Sequence, residues 1–357
     1  MTDHHYRELA SLIPTWAVEL GFQQVGITDT ELTPHGQHLE RWLGQGFHGE
    51  MEYMSRNLDK RRRPAQLFPG TTRIISVRMD YLPRGSKIEE VLAAQNLGYV
   101  SRYALGRDYH KIMRSRLKKL VNNMTSFLLD HDIEGLTARV FTDSAPVLEK
   151  ALAEKAGLGW IGKNTLLLNR KAGSWFFLGE IYTNIPLPTN SDKVVNRCGS
   201  CNACRDICPT NAIVAPYELD SRLCISYQTI ENRGEIPEAL RSLIGNRIFG
   251  CDDCQVACPW NRYAMESDEP DFVPRQGLQK TELLKLFSWS EDEFLRKTEG
   301  SAIRRTGYEG WLRNISIALG NAGLDESILV ALEDKLKVVG DMVAVHIRWA
   351  IKQQLLP

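Results

Sequence analysis

The chain carries eight cysteines, all between Cys198 and Cys258, and this clustering most constrains how it folds. A secreted disulfide scaffold distributes its cysteines along the chain, whereas clustered thiols in a reducing compartment bind metals. Residues 1–6 lack both the basic and the apolar segment of a secretory signal. No run reaches the roughly eighteen apolar residues that a membrane helix needs. The sequence therefore predicts a cytoplasmic metal-binding protein with no membrane segment.

The cysteine spacing indicates which metal is bound. The first run is C-x2-C-x2-C-x3-C-P, the bacterial ferredoxin pattern, in which three thiolates hold one [4Fe–4S] cluster and the fourth binds the other. The second run, C-x2-C-x3-C-P, ends in the same way but is one cysteine short, and Cys224 supplies the missing ligand. The predicted ligands are Cys198, Cys201, Cys204 and Cys258 for cluster one, and Cys208, Cys224, Cys251 and Cys254 for cluster two.

Zinc is the first alternative, since paired C-x2-C knuckles are common zinc ligands. Zinc ribbons lack the third closely spaced cysteine and the C-x3-C-P ending, so the spacing favours iron–sulfur clusters. A disulfide cage fits less well, because C-x2-C spacing suits a shared metal.

The 357 residues suggest more than one core, and the pattern divides them into three units. Residues 1–190 form a mixed α/β unit, with helical spacing over residues 6–21 and 110–131 and strand patterns at 73–79, 136–141 and 174–182. Residues 191–275 form the cysteine-rich unit, which ends in an acidic, proline-bearing linker at 266–271. Residues 276–357 form a helical unit. Because 44 basic and 44 acidic residues balance, any nucleic-acid-binding surface must be a local patch.

The helical unit contains a weak internal repeat. Residues 311–320 align with residues 343–352 at a spacing of 32, which lies in the range of helical-repeat proteins. Two ordinary amphipathic helices explain the pattern equally well. Two repeats are fewer than the three usually needed for independent stability, so this unit should pack against the rest of the chain.

Two further motifs lack the residues or the neighbouring elements that their usual function requires. Residues 157–165 match G-x-G-x-x-G and nearly match the P-loop, but the preceding residues 146–156 predict a helix where a strand is required, and Asn164 has no hydroxyl for Mg²⁺. A glycine loop that caps a helix and approaches a ligand remains open. The sequence Asp108-Tyr109-His110 starts like the D-x-H-x-x-G motif that supplies a cobalt ligand in some cobalamin enzymes, but Met113 replaces the glycine.

Four segments carry a joint resemblance to a known family. They are residues 103–111 (YALGRDYHK), 142–150 (TDSAPVLEK), 159–164 (GWIGKN) and 249–255 (FGCDDCQ). With the split ferredoxin run, they resemble epoxyqueuosine reductase over essentially the whole chain. The resemblance implies an α+β multidomain fold: an α/β cobalamin-binding domain, a ferredoxin-like domain with two [4Fe–4S] clusters, and C-terminal HEAT-like helical repeats.

The resemblance also implies an activity. Members of this family reduce the epoxide of epoxyqueuosine in the tRNA anticodon loop to queuosine, the last step of queuosine biosynthesis. Electrons from an unidentified low-potential donor pass through the two clusters to cobalamin, which is bound base-off without a histidine ligand. The HEAT-like repeats hold part of the tRNA, and the resemblance favours a monomer.

The residue that matches the family's proton donor is Asp143. A carboxyl donates a proton near pH 7 only if burial raises its pKa. From the residues alone, Asp-Ser-x-Pro before a helix also suits an N-cap. Residues that lie in the family's motifs are the candidate cobalamin contacts, although His110 also suits a purely structural role. They are Arg63, Tyr103, Tyr109, His110, Asp143, Trp160, Lys163, Asn164, Ser226, Tyr227 and Gln228.

Two basic runs are candidates for contact with tRNA phosphates or with cobalamin, although a solvated helix face is the usual explanation for such runs. They comprise Arg56, Lys60, Arg61, Arg62 and Arg63, and Arg102, Arg107, Lys111, Arg114, Arg116, Lys118 and Lys119.

Two other functions stay open on the sequence. One is a cobalamin-dependent small-molecule reductase of the reductive dehalogenase kind, and the other is a non-enzymatic ferredoxin-type electron carrier. The missing export signal and the helical C-terminal unit argue against the first of these. Uptake of a corrinoid by the protein would argue against the second.

Overall fold

The computed structural model describes residues 2–190 and 194–356, which form an α+β fold. The predicted helices and strands of the first unit are confirmed. The elements of this unit are α1 (Thr2–Glu19), β1 (Gln24–Thr28), α2 (Thr33–Gly44), α3 (Leu58–Arg62), α4 (Pro64–Leu67), β2 (Arg73–Asp80), α5 (Ile88–Ala93), β3 (Leu97–Val100), α6 (Tyr109–Asp130), β4 (Ala138–Phe141), α7 (Glu149–Lys155), β5 (Trp160–Ile161), β6 (Leu167–Leu168) and β7 (Phe176–Thr183).

The main sheet has the order β1-β2-β7-β4, and every pair in it is antiparallel. The first unit is therefore α+β, and the α/β prediction is wrong for its sheet. Alternation of helices and strands along a sequence fixes neither strand order nor strand direction, which is why the prediction failed. β2 and β7 form the centre, where Ile75 pairs with Ile181 and both are fully buried.

One face of this sheet is covered by α1 and α6, whose apolar residues recur at helical intervals. On α6, Met113, Leu117, Leu120 and Met124 are fully buried, while the lysines between them face outward. This packing fixes α6 along the sheet, so that its first turn lies beside the end of β4.

The cysteine-rich unit is built from short elements, and the helical unit follows it. Their bounds are α8 (Ala203–Asp206), α9 (Ile225–Ile230), α10 (Glu238–Ile244), β8 (Arg247–Phe249), α11 (Asp253–Val256), β9 (Thr281–Glu282), α12 (Leu283–Phe287), α13 (Glu291–Lys297), α14 (Gly307–Gly320), α15 (Glu326–Leu336) and α16 (Asp341–Gln354).

The two repeat segments lie in α14 and α16, which pack against each other. As predicted, this unit packs against the rest of the chain, because one hydrophobic core joins Val100, Phe249 and Trp311. Arg313 on α14 is fully buried and donates to the carbonyls of Gln228 (2.7 Å) and Asn232 (2.9 Å) in the cysteine-rich unit. The hydrophobic core therefore continues across the predicted boundary at residue 275.

The acidic segment predicted as a linker is docked on α6. Arg116 forms an ion pair with Glu269, and Arg107 Nε lies 3.1 Å from Asp271 Oδ1. Phe272 is almost fully buried in the hydrophobic core that α1, α6 and the main sheet share. The segment therefore fastens the cysteine-rich unit to the first unit. Within the part of the chain described, no helix combines the length and the apolarity needed to cross a bilayer.

Candidate active site and cysteine centres

Four polar side chains meet where α6 begins. Asp108 caps the helix by accepting the His110 backbone N–H at 3.0 Å, and its carboxylate also bonds to His110 Nδ1 at 2.6 Å. His110 Nε2 lies 3.2 Å from Asp143 Oδ2, and the Tyr109 hydroxyl donates to the same oxygen at 2.8 Å. The imidazole is therefore held between two carboxylates, and both of its ring nitrogens are engaged.

Asp143 follows β4 and has a left-handed backbone conformation, with φ of 54°. It does not serve as the N-cap of α7, because that helix begins at Glu149 with Leu148 at the N-cap position and no side-chain cap. The Asp143 carboxylate points to α6 instead. Asparagine and aspartate tolerate this backbone conformation better than most residues, but its cost must be offset by the surrounding contacts.

These contacts determine where the proton lies. Burial lowers the pKa of His110, but hydrogen bonds to Asp108 and Asp143 outweigh it and raise the pKa to about 9. Burial raises the pKa of Asp143, yet the bonds from His110 and Tyr109 outweigh it and hold the pKa below its usual value. Asp143 is half-exposed, and it faces the interior of a cavity. The proton at neutral pH therefore resides on His110, contrary to the expectation of a carboxyl with a raised pKa.

Two further carboxyls lie behind Asp143. The Asp143 backbone N–H donates to Glu149, and Glu180 on β7 is fully buried nearby. Burial, followed by the charge of Asp143, raises the pKa of Glu149 to about 7. Burial and the charge of Glu149 raise the pKa of Glu180 well above its usual value. Their protonated forms limit the negative charge that accumulates around Asp143.

A cavity of about 1240 Å³ opens in front of this cluster. It exceeds the roughly 300–1,000 Å³ of most small-molecule pockets. Its wall includes Cys224, so the predicted second cluster would border the same space as Asp143. Six of the predicted cofactor contacts line it, namely Tyr103, Tyr109, His110, Asp143, Ser226 and Tyr227.

Two of these aromatic rings are held rigidly. Tyr109 stacks on Phe177 with ring centroids 3.8 Å apart and planes within 6°. The Tyr227 hydroxyl accepts the backbone N–H of Glu50 at 2.8 Å. Gly49 lies so close to this hydroxyl that a Cβ there would be 2.5 Å away, and its φ is +57°, so the position requires glycine.

The first cysteine group surrounds a second, smaller cavity of about 200 Å³. None of the eight cysteines forms a disulfide. Burial is the main cause that raises the pKa of Cys204 to about 11, and the charges of the neighbouring thiols add to it. Crowded thiols of this kind release protons readily only when a metal compensates their charge. The group is Cys198, Cys201, Cys204 and Cys258.

The second group is more deeply buried. Burial raises the pKa of Cys254 and Cys251 well above the usual thiol value, and the nearby Cys224 adds to this. Cys208 Sγ accepts the backbone N–H of Ala212 at 3.3 Å, a type of bond that tunes iron–sulfur potentials. Cys208 lies close enough to Cys224 and Cys254 to affect their pKa values, so it is a candidate fourth member of this group. The division of the cysteines between two clusters and their ligation of iron stay predictions.

Five predicted cobalamin contacts lie away from the large cavity, and their placement does not support that role. Trp160 is fully buried, with its ring edge against Trp260 at 5.2 Å. Lys163 Nζ donates to the Cys201 carbonyl at 2.8 Å, and Asn164 donates to the Cys254 carbonyl at 3.3 Å. The last two are the buried Gln228, which bonds to Arg222 and Asn232, and the exposed Arg63 between α3 and α4.

The glycine loop at residues 157–165 has a structural explanation. Gly157 ends α7 with φ of +82°, and the helix prediction for the preceding residues is confirmed. A Cβ on Gly159 would lie 2.2 Å from the Leu168 carbonyl, so the loop packs against β6.

Five of the twelve basic residues are buried or have carboxylate partners within the chain. Arg102 is fully buried against the Tyr99 ring at 4.6 Å. Buried Arg61 donates to the Tyr53 carbonyl at 3.0 Å, and Arg62 pairs with Glu40. Arg107 and Arg116 also line the cavity, but each is paired with a carboxylate of the docked acidic segment.

The remaining basic residues are exposed and have no carboxylate partner among residues 2–190 and 194–356. Lys111, Arg114 and Lys119 line the cavity rim, and Arg56, Lys60, Arg63 and Lys118 extend the charge outward. Arg304 and Arg305 also line the cavity, but the sequence reasoning missed them. They come from the helical unit, and nothing in their local pattern shows that they face α6.

Residues 197–261 match the family described as 4Fe-4S double cluster binding domain. This match, together with the cavity that Cys224 and the His110–Asp143 pair border, defines an iron–sulfur oxidoreductase.

The particular family follows from the remaining comparisons. Residues 61–144 match the family described as epoxyqueuosine reductase QueG, DUF1730. The epoxyqueuosine reductase of Pseudomonas aeruginosa is 56% identical over 345 residues, which cover 97% of this chain and 94% of the relative. The chain belongs to the epoxyqueuosine reductase family.

Two solved structures extend the likeness to the fold. An epoxyqueuosine reductase with an epoxyqueuosine-modified tRNA-Tyr stem loop superposes with a TM-score of 0.82 and 26% identity, covering 98% of this chain and 100% of that one. The Bacillus subtilis enzyme, with an aspartate-bearing catalytic loop swung out of its active site, gives a TM-score of 0.83 and 25% identity, covering 98% and 99%.

Proposed function

We propose that this protein reduces the epoxide of epoxyqueuosine in the tRNA anticodon loop to the alkene of queuosine. Two C–O bonds break, a C=C bond forms, and the oxygen leaves as water after taking up two electrons and two protons. One observation carries the proposal: the His110–Asp143 pair and Cys224 border the same cavity. Protons and electrons can therefore reach one substrate.

The chain's own acid is the coupled pair of His110 and Asp143. The imidazolium holds the proton at Nε2, and Asp143, on a loop at the cavity wall, carries it to the departing oxygen. Asp108 fixes the ring from the other side, and Tyr109 orients the carboxylate. A relative whose catalytic aspartate loop swings out supports a mobile donor, and we assign that role here to Asp143.

The cavity fits cobalamin in size, in its aromatic walls and in its cationic rim. Bound cobalamin would supply a cobalt centre that accepts single electrons. Tyr103, Tyr109, Ser226 and Tyr227 would contact the corrin, together with His110 at the edge. Because both His110 nitrogens bond to carboxylates, this residue is not free to ligate cobalt, which supports a base-off cofactor without a histidine ligand.

We assign the eight cysteines to two [4Fe–4S] clusters as the spacing predicts. The group with the exposed Cys201 would hold the cluster that a low-potential donor can reach. The group that includes Cys224 would hold the cluster that borders the cavity, and both clusters would supply one-electron transfer. Backbone N–H groups near Cys224 and Cys258 would stabilise their thiolates.

The tRNA lies across the cavity mouth, where Lys111, Arg114 and Lys119 from α6 meet Arg304 from the helical unit. Residues 1–190, 191–275 and 276–357 would then be the cobalamin-binding, ferredoxin-like and HEAT-like units of one monomer. A tRNA substrate and reduced thiols both suit the cytoplasm.

The experiment supplies reconstituted protein with epoxyqueuosine-containing tRNA, cobalamin and a low-potential reductant, and analyses nucleosides after digestion. We expect queuosine to form only when iron, cobalamin and reductant are all present. Failure of fully metallated protein to form queuosine would contradict the proposal. Iron–sulfur absorbance without corrinoid binding would favour a simple electron carrier.

A further inference from the structure

A shallow groove of about 670 Å³ lies next to the first cysteine group. Its wall, as far as it is formed by residues 2–190 and 194–356, carries four cations and three large apolar side chains, and no acidic residue. All four cations are exposed, and none has a carboxylate partner among residues 2–190 and 194–356. The groove is lined by Arg170, Lys171, Arg197 and Arg262 together with Trp260, Tyr263, Ala264 and Met265.

The groove continues into the cavity formed by the cysteines. Arg197, Trp260, Arg262 and Tyr263 line both spaces. Cys201 is the one exposed cysteine of the eight. A molecule seated in the groove would therefore lie against the predicted cluster one, whereas Cys224 of the other group faces the substrate cavity.

The groove is preorganised. The turn that carries Arg170 and Lys171 is closed by paired backbone bonds between Asn169 and Gly173. Gly173 has φ of +65° and approaches Asn261 so closely that a Cβ would lie 2.0 Å from Oδ1. Trp260 is held by its indole N–H bond to the Arg197 carbonyl, at 3.4 Å, and by the edge contact with Trp160.

We infer that this groove docks an acidic electron-donor protein, a small one-electron iron–sulfur or flavin carrier with its cofactor near an acidic surface. The inference rests on the proposed function, which requires two electrons per epoxide. Each docking event oxidises the carrier by one electron and reduces the cluster held by the first cysteine group by one electron. Unpaired cations around an exposed redox site steer an acidic partner, and exposed aromatic side chains suit a small transient interface.

RNA is the other polyanion to consider. The observations favour the protein partner, because RNA in this groove would cover the cluster that has to receive electrons. The cations at the substrate cavity already provide a separate phosphate-binding surface beside Asp143.

The test measures reduction of the oxidised holoenzyme by stopped-flow absorbance, with a photoreduced plant-type [2Fe–2S] ferredoxin as the acidic donor. We expect the double variant Arg170→Glu/Arg262→Glu to reduce at least tenfold more slowly with ferredoxin than the wild type. Its reduction by dithionite, a small reductant that needs no docking surface, should be unchanged. The wild-type rate should also fall as salt increases.

Two controls separate the possible causes. Arg7→Glu, which reverses an exposed charge on α1, should leave ferredoxin-driven reduction unchanged. Lys119→Glu, at the substrate cavity, should weaken tRNA binding without slowing this reduction.

Three results would overturn the inference. The first is that dithionite reduces the wild-type enzyme but ferredoxin does not. The second is that ferredoxin reduces the wild type and the double variant at equal rates. The third is that the double variant loses affinity for tRNA while ferredoxin reduces it at the wild-type rate. The measured quantity is the rate of cluster reduction, which does not depend on epoxide turnover. Groove-dependent reduction without queuosine formation would refute the proposed function alone.

Discussion

Substitution of His110 by glutamine should show where the catalytic proton lies. Glutamine keeps hydrogen-bonding capacity toward Asp108 and Asp143 but cannot hold an extra proton. We expect single-turnover conversion at pH 7.5 to fall by about 10²–10⁴-fold, the usual contribution of a positioned acid. His38→Gln, an exposed histidine on α2, should leave the rate unchanged.

The pKa of His110, which rises from 6.5 to about 9, determines how much of this acid is protonated. At pH 7.5, about 97% of a group with pKa 9 is protonated, against about 9% of a group with pKa 6.5. The shift corresponds to about 3 kcal/mol, which is an upper value because the half-exposed Asp143 is screened by solvent. Because the folded-state pKa is raised, this stabilisation is complete below pH 6.5 and is lost as pH rises through 9.

The assay is a pH–rate profile of reduced enzyme in a single turnover, so that electron delivery does not limit the rate. Wild-type rates should hold through neutral pH and fall about tenfold per pH unit above 9. The glutamine variant should lack this alkaline fall. A wild-type break near pH 6.5, or an unchanged rate in the variant, would refute the assignment of the proton to His110.

Three further changes test other parts of the structure. Cys224→Ser should remove about half of the iron and leave the first cluster, whereas Cys258→Ser should remove the other half. Iron analysis and electron paramagnetic resonance measure this, and loss of both clusters in each variant would contradict the grouping. Arg313→Ala should destabilise the protein by about 3 kcal/mol or more, because several buried carbonyls lose their donor, and an unchanged thermal midpoint would count against that role. Lys111→Ala/Lys119→Ala should weaken tRNA binding and reduce the salt slope by up to about 2, and an unchanged slope would exclude phosphate contact.

The sequence predicts what depends on local spacing. The helix that starts after Asp108, the central strands and the grouping of the cysteines all follow from short-range periodicity or from ligand geometry. The role of Asp143 could not be decided from the residues alone, because its motif equally suits a helix cap. Only the packing of α6 beside β4 shows that its carboxylate faces His110.

Long-range pairing explains most of what the sequence missed. Arg116 and Arg102 are equivalent in a charge pattern, yet one binds Glu269 and the other is buried against Tyr99. Arg304 reaches the cavity from a distant part of the chain. The direction of strand pairing likewise depends on tertiary connections, so the first unit is α+β despite alternating helices and strands.

The most direct test compares Asp143→Asn with the wild type in a single turnover, using metallated, fully reduced protein and epoxyqueuosine-containing tRNA. Asp132→Asn is a matched control, because this exposed aspartate also has a left-handed backbone, with φ of 55°. We expect the wild type and the control to form queuosine, and Asp143→Asn to form none while it still binds tRNA and cobalamin. Queuosine formation by Asp143→Asn at the wild-type rate would contradict the assignment of proton transfer to this cavity.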